Sequence, residues 1–383
     1  MSAEVTIHKG LDNVVIDESR LSLVNGTEGK LIYAGYKIED LAEHALYEEI
    51  VYLLWNDRLP NARELEALRA EIAQGANVPE PVMAMLKDFP RNADPMAVLR
   101  TAVSALAMYD PDSEDNSAEA NRRKAARLTG KVVTLVANWP RIREGKLPTN
   151  PRTDLNLAQN YMYMLRGEAP EVNAVNAINA FMVLLTEHGM NASTFVARAT
   201  TSTKSDMHSA IVSAIGTLKG SLHGGANTEA MRMFLEIDEV ENVKPWFDRE
   251  IKEKGGKIMG IGHRVYKALD PRAAVLRDRA EKLARAAGNG KWFDIADQLQ
   301  GLARADQYFI ERNLYPNVDY YSAIVLYTLG LDVDMFTPLF AMSRMAGWTA
   351  HIMEQTANNR LMRPDVLYTG AMDLPWVAIA DRK

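Results

Sequence analysis

Cysteine is absent from the chain, which excludes disulfides, thiol catalysis and Cys-ligated zinc and fits a reducing compartment. Positive charge is not in excess either, since 44 Lys and Arg against 50 Asp and Glu leave a formal net charge of -6. Binding to a nucleic-acid backbone is carried by concentrated positive charge, so nucleic acid is not expected as the main partner. Long apolar runs are missing as well. The longer clusters, such as AFMVLL at 180–185, are too short to cross a bilayer, so no membrane partner is expected. The opening MSAEVTIHKG lacks a basic segment followed by an apolar core, so no signal peptide is expected and the reading is a cytoplasmic protein. No fixed-period repeat or low-complexity tract occurs, which removes a solenoid.

What is present is an ordinary globular composition, 47% hydrophobic and 25% charged over 383 residues, long enough for two or three domain-sized units around a large core. Apolar residues recur at helical spacing. Ile211, Ala214, Ile215 and Leu218 form one stripe, and Val175, Ile178, Met182 and Leu185 form another. Polar breaks fall at 109–117, 140–154, 241–246 and 287–291. Asn116 with Glu119 predicts a capping-box start for a helix running through Val136. Only VVIDESRLSLV and KLIYAGY near the N-terminus look strand-like, and no strand-helix alternation follows. The expected fold is therefore all-α with a few short N-terminal strands.

Three of the seven histidines stand where a helix interior would not place them. His188 precedes Gly189 in EHGMNAST, His223 lies in LKGSLHGGAN, and His263 follows Gly260 and Gly262 in MGIGHRVYKALDPR. Glycine beside each lets the backbone approach a ligand closely. Each alone also fits a turn histidine that bonds a nearby carbonyl. His223 would sit near the start of a following helix, whose positive end keeps an imidazole neutral and able to donate a hydrogen bond.

Asp270-Pro271-Arg272 reads as an N-cap, a first helical residue and an arginine set against the helix dipole. That arginine either binds an anion with the helix-start N–H groups, points to water, or pairs with a neighbouring acid. Arg344 is the one Asp, Glu, Lys or Arg in LFAMSRMAGWTAHIM, and a guanidinium on so apolar a helix needs a partner. Arg363 precedes Pro364 and so cannot easily continue a helix. Asp319, in NVDYYSAIV, reads as an N-cap with Ser322 in the first turn, or as a carboxylate desolvated by its two tyrosine neighbours and thus a better base. Metal ligation by the histidines lacks local spacing support, with no HExxH pair. The GxG before His263 has no preceding strand and no third glycine at the required spacing, so a dinucleotide fold is not supported.

Taken together, EHGMNAST, LKGSLHGGAN, MGIGHRVYKALDPR, PNVDYYSA, FTPLFAMSRMAGWTAHIMEQ and NNRLMRP stand in the order and spacing of the citrate synthase family. The resemblance covers nearly the whole chain. It implies a two-domain helical fold: a large domain of 1–223 plus 331–383, which dimerises and holds oxaloacetate, and a small mobile domain of 224–330 with the CoA site. It implies condensation of acetyl-CoA with oxaloacetate and water to citrate and CoA, with acetyl-CoA and CoA as substrate and product, no tightly bound cofactor and no metal. By motif match Asp319 resembles the base for the methyl proton, His223 the donor to the thioester oxygen and His263 the donor to the ketone. His188, Arg272, Arg344 and Arg363 would hold the oxaloacetate carboxylates, Arg363 reaching across a homodimer interface. Lys257, Ile258, Met259, Gly260 and Ile261 are the implied CoA contacts. The long N-terminal extension of the NADH-regulated hexameric branch is missing, so the shorter dimeric form is expected. Two rivals remain: a 2-methylcitrate synthase using propionyl-CoA, which differs by one methylene, and a non-catalytic helical scaffold in which the histidines cap and the arginines pair internally.

Overall fold

A computed structural model describes residues 6–11 and 14–382; the first five residues of the N-terminal stretch read for a signal peptide lie outside it. Seventeen α-helices and one three-stranded antiparallel sheet make up the described residues, so the all-α expectation holds. The organising element is the helix Phe336–Ala357, buried without interruption from Phe336 to Ile352. A helix apolar on every face belongs inside the core. It packs against Tyr47–Asn56, Ala118–Arg143, Val172–Leu185, Ala192–Ser202 and Met207–Leu218. A second group, Ala226–Ile237, Pro271–Ala286, Gly290–Ala305 and Val318–Thr328, packs largely on itself. Pro271–Ala286 joins it to the first by touching Ile38–His44 and Val172–Leu185.

The strands are shorter than the sequence suggests: β1 is Ser22–Asn25, β2 Lys30–Tyr33 and β3 Tyr36–Lys37, with Ser22 opposite Tyr33 and Ile32 opposite Lys37. The VVIDESR part of the first strand-like run forms no strand. Instead it is tied down by charge, as Asp17 pairs with Arg198 at 2.5 Å and Arg20 with Asp57 at 2.6 Å. The hairpin between β1 and β2 reaches a distant loop. The Gly26 carbonyl accepts from Lys267 N–H at 2.9 Å, and a Cβ on Gly26 would collide with the Val265 carbonyl. Its tip thus lies against the His263 loop.

Local capping departs from expectation at two helices. Ser117, not Asn116, caps Ala118–Arg143 by accepting from Ala120 N–H. Asn116 is used elsewhere: its Oδ1 lies 3.4 Å from Lys124 Nζ. That helix also runs on past Val136 through a buried Pro140, because burial of Ala137, Trp139 and Ile142 outweighs the roughly 3 kcal/mol an interior proline costs. At Val318–Thr328 the cap is Asn317, whose side chain accepts from Asp319 N–H at 2.9 Å. Asp319 therefore stands in the first turn with its carboxylate released from capping. The polar stretch at 241–246 includes helical residues, Val243–Trp246, which continue into a π-helical turn over Phe247–Glu253.

Candidate active site

His188 lies just beyond the helix Val172–Leu185, and β2 fixes that end. The Tyr33 hydroxyl donates to the Glu187 carbonyl at 2.8 Å and accepts from Glu187 N–H at 3.2 Å. The His188 ring meets that of His263 edge-on at 5.4 Å and that of Tyr266 at 5.5 Å, with its Nε2 3.2 Å from the Tyr266 hydroxyl. Burial, with Arg272, His263 and Arg344 adding to it, pushes the His188 pKa well below that of a free imidazole.

His263 sits in a loop whose course is set by two glycines. Gly260 has φ +80 and Gly262 φ +96, and a Cβ on Gly260 would lie 2.8 Å from the Tyr320 Cα, so only glycine takes this path without strain. The loop is stitched to the segment before Asp319: Gly262 N–H donates to the Tyr315 carbonyl at 2.8 Å, Asn317 N–H to the Gly260 carbonyl at 2.9 Å, and Asn317 Nδ2 to the Gly262 carbonyl at 2.8 Å. His263 and Asp319 are thereby held by one hydrogen-bonded unit. The His263 Nδ1 accepts from the N–H of Val265 at 3.0 Å and of Tyr266 at 3.2 Å. Two donors on Nδ1 leave the proton on Nε2, which becomes an N–H donor. Burial and the Arg272 charge bring its pKa down to about 4, so the ring is neutral at pH 7.

His223 is held in the opposite tautomer. Its Nε2 lies 2.9 Å from the Ser193 hydroxyl and accepts from Ser193 N–H at 3.3 Å. Trp348 Nε1–H reaches the same hydroxyl at 3.2 Å. An accepting Nε2 leaves the proton on Nδ1. Burial first and Arg344 second lower the His223 pKa to about 4; the helix dipole invoked from sequence is not needed.

Asp319 is a half-buried carboxyl whose pKa rises to about 6, because burial outweighs the opposing pull of Arg272 and Arg344. The neighbouring tyrosines do not supply that burial by facing it. The Tyr320 hydroxyl bonds the Ala296 carbonyl, and Tyr321 bonds Gln300.

The two interior arginines behave differently. Arg272 is 2% exposed and forms a two-pronged ion pair with Asp270, Nε to Oδ1 at 3.0 Å and Nη2 to Oδ2 at 2.8 Å. The cap Asp270 also accepts from Arg272 N–H and from Val318 N–H. Of the three alternatives open from sequence, pairing with a neighbouring acid is the one observed for this edge, and the local answer is what lets a guanidinium survive in the core. Arg344 is 1% exposed with no carboxylate in salt-bridge range among the described residues. Its Nε donates to the Leu185 carbonyl at 2.6 Å, and its Nη1 has no partner. A buried N–H left unmade costs about 1–3 kcal/mol, more for a charged group, so Arg344 carries unmet hydrogen-bonding capacity in the interior. Arg272 biases His188, His263 and Asp319, and Arg344 biases His188, His223 and Asp319. The histidines and the aspartate are thus gathered around two guanidiniums.

Arg363 is not brought to this group. It lies exposed beyond the last long helix, paired with Asp365 at 2.8 Å. Among the implied CoA contacts, Lys257 is exposed and Met259 and Ile261 are half-buried, whereas the Ile258 side chain packs in the core at 2% exposure. Ile258 can offer only backbone.

Sequence reasoning missed the group behind Arg344. Glu187 is fully buried; its Oε1 accepts from Ser22 Oγ at 2.9 Å, from Gly189 N–H at 2.5 Å and from His351 at 3.0 Å, while Oε2 is unpartnered. Burial opposes its charge, but His351 and Arg344 hold the carboxyl below its usual range. His351 in turn meets Arg198 at 3.2 Å. The place of Glu187 directly before His188 was the available signal.

A helical fold that gathers neutral imidazoles and a weakly acidic carboxyl near two buried guanidiniums has the makings of an acid–base enzyme site. The comparisons with known proteins are specific. Residues 10–365 match the family model described as citrate synthase, C-terminal domain, and the chain belongs to the citrate synthase family, acyltransferases of the condensing type. It is 46% identical to citrate synthase 2 of Bacillus subtilis, covering 99% of this chain and 100% of that one. It is 41% identical to 2-methylcitrate synthase of Mycobacterium tuberculosis over 95% of this chain and 91% of that one. The solved ternary complex of carboxymethyl coenzyme A and oxaloacetate with citrate synthase from Thermoplasma acidophilum matches with a TM-score of 0.93 at 34% identity, covering 98% of this chain and 100% of that one.

Proposed function

We propose that this protein condenses acetyl-CoA with oxaloacetate and water to give citrate and CoA. The observation that carries it is Arg344, buried with an unmade guanidinium bond and close enough to His188, His223 and Asp319 to shift all three. A dicarboxylate keto acid supplies the missing charge through paired guanidinium contacts. Arg344, the free edge of Arg272, and His188 hold it.

Asp319 takes a methyl proton from the acetyl thioester while the Nδ1–H of His223 donates to the thioester oxygen, so that an enol rather than a free carbanion forms. The enol carbon then attacks the ketone of oxaloacetate. As the new carbon–carbon bond forms, the enol O–H proton returns to His223 and the thioester carbonyl is restored, while the ketone oxygen takes the Nε2 proton of His263; the proton held by Asp319 leaves to water, from which His263 is reprotonated. Water finally cleaves the citryl thioester, releasing CoA and the free acid. Neutral imidazoles suit this task, because they donate without a full charge that would bind the ground state as strongly as the transition state.

The division into a large unit, 1–223 with 331–383, and a small unit, 224–330, is supported by the self-packing of the second helix group. Its movement would close the acyl-CoA against oxaloacetate and keep water from the enol. Lys257, Met259 and Ile261, with backbone of the buried Ile258 and Gly260 behind them, would be the surface offered to CoA. A homodimer with Arg363 contributed across the interface is supported by the C-terminal arm, where Val366, Met372, Leu374 and Trp376 are each at least 75% exposed, more apolar surface than a short tail leaves in water without a partner. We place the enzyme in the cytoplasm; among the described residues no helix is long and apolar enough to cross a membrane.

The likeness to a 2-methylcitrate synthase keeps propionyl-CoA as a second reading. One methylene is worth about 1–3 kcal/mol. Thiol release with oxaloacetate and each acyl-CoA decides: acetyl-CoA is expected to give the higher kcat/KM, and a faster propionyl reaction reverses the assignment. His263→Ala is expected to lower CoA release by at least ~100-fold, and an unchanged rate would remove it from the mechanism.

A further inference from the structure

A cavity of about 250 Å³, lined by none of the histidines, arginines or acids of the reaction centre, opens between the end of the helix Glu80–Asp88, the end of Ala118–Arg143 and the loop after it. We propose that it is a second anion site, one that binds the phosphoanhydride group of a compact polyanion such as a di- or triphosphate.

Lys87, Arg91, Arg143 and Lys146 line it, and no acidic side chain does. Lys146 is answered by the exposed Glu144 at 2.6 Å, and Arg143 by Asp332 and Asp334 at 2.5 and 2.6 Å. Lys87 and Arg91 have no acidic partner among the described residues. Gathering cations around one space is unfavourable unless an anion enters it.

The local backbone removes the usual objection to an anion at a helix C-terminus. Gly145 N–H donates to the Ile142 carbonyl and Lys146 N–H to the Arg141 carbonyl, both at 2.9 Å, so the carbonyls that would repel an anion are capped. Gly145 adopts φ +78, and a Cβ there would lie 3.4 Å from Arg91 Nη2. The guanidinium thus lies in contact distance of the Gly145 turn, and both line the cavity. Phe89 and Trp139 close the apolar side. The volume admits a short phosphate chain but falls below that of pockets which enclose drug-sized molecules. A flat guanidinium with ammonium groups beside it is the combination that reads phosphate oxygens.

The site reaches the reaction centre through Arg143. Asp332 and Asp334 follow the helix Val318–Thr328, which carries Asp319, and Arg166 anchors the same connection by donating to the Leu329 carbonyl at 2.5 Å. An anion that shares Arg143 weakens its hold on those two aspartates. Occupancy therefore lowers turnover without competing with acyl-CoA.

Titration calorimetry of the intact protein with tripolyphosphate, ATP and adenosine tests this independently of turnover. Tripolyphosphate is expected to bind with Kd below ~1 mM, ATP comparably and adenosine not at all. The double variant Lys87→Ala/Arg91→Ala, both exposed positions, should weaken binding at least about tenfold and leave thiol release without anion unchanged. In kinetics, tripolyphosphate should lower kcat with acetyl-CoA KM unchanged. No binding heat, equal affinity in the double variant, or inhibition competitive with acetyl-CoA that survives the substitutions would each overturn the proposal.

Discussion

On the proposed mechanism, the half-buried carboxyl of Asp319 trades stability for reactivity. Its pKa near 6 exceeds the ordinary 3.8, so between those values the folded protein binds more protons than the unfolded chain. Stability contributed by this group accordingly falls as pH rises from about 4 to 6 and stays lowered above. A group only half-buried is partly screened, so the cost is about 1–3 kcal/mol at pH 7. Asp319→Asn removes that cost and the base together. Its Tm at pH 7 is expected to rise while CoA release falls at least ~100-fold, and a melting curve measured beside a thiol assay checks both. In the unsubstituted enzyme the rate should drop with pH along an acid limb centred near 6, since only the carboxylate accepts a proton. The histidines work in the other direction. His223 and His263, at about 4, resist protonation in the fold, so the stability they contribute is full above the ordinary imidazole value and is lost as pH falls towards 4. A limb near 6 thus belongs to the carboxyl.

The helix Phe336–Ala357 carries Arg344 and, one turn on, Gly347, the residue that lets the helix approach Thr186 and Glu187. A Cβ on Gly347 would collide with the Thr186 carbonyl and stand 2.7 Å from Glu187 Oε2 and 3.3 Å from Arg344 Cδ. None of these atoms is the free end of a flexible chain with room to move, since Glu187 and Arg344 are both buried. Gly347→Ala is expected to destabilise by about 1–3 kcal/mol and to raise the KM for oxaloacetate more than that for acetyl-CoA; denaturant melts and steady-state kinetics measure the two effects. The sequence made this helix legible, because a lone charge in LFAMSRMAGWTAHIM marks Arg344 whatever it binds. The Asp270-Pro271-Arg272 start was equally legible as a cap, with Asp270 accepting from Arg272 N–H as expected. What stayed hidden was long-range pairing: that Ser193 would set the His223 tautomer, and that Tyr33 on a short strand would clamp Glu187. Each depends on which surfaces meet in space, and no local periodicity reports that. The Asn116 and Asp319 caps failed for a nearer reason: Ser117 and Asn317 beside them are equally good acceptors.

For the assembled molecule, the decisive question is where Arg363 works. In one chain it pairs with Asp365 in water, at the end of an arm that exposes Val366, Leu374 and Trp376 and has no use for them alone. If the arm lies on a second copy, each reaction centre combines Asp319 from one chain with Arg363 from the other. Arg363→Ala and Asp319→Asn should then each be inactive alone, yet restore activity when mixed after subunit exchange. In a mixed dimer one site carries both defects and the other carries neither. Random exchange makes half the dimers mixed, and half their sites intact, so recovery should approach about a quarter of the unsubstituted rate. Sedimentation must show a dimer throughout. If Arg363 instead served its own chain, every site in the mixture would hold one defect, and no activity would return. Recovery near a quarter with both parents inactive is therefore a result that only a shared site can give.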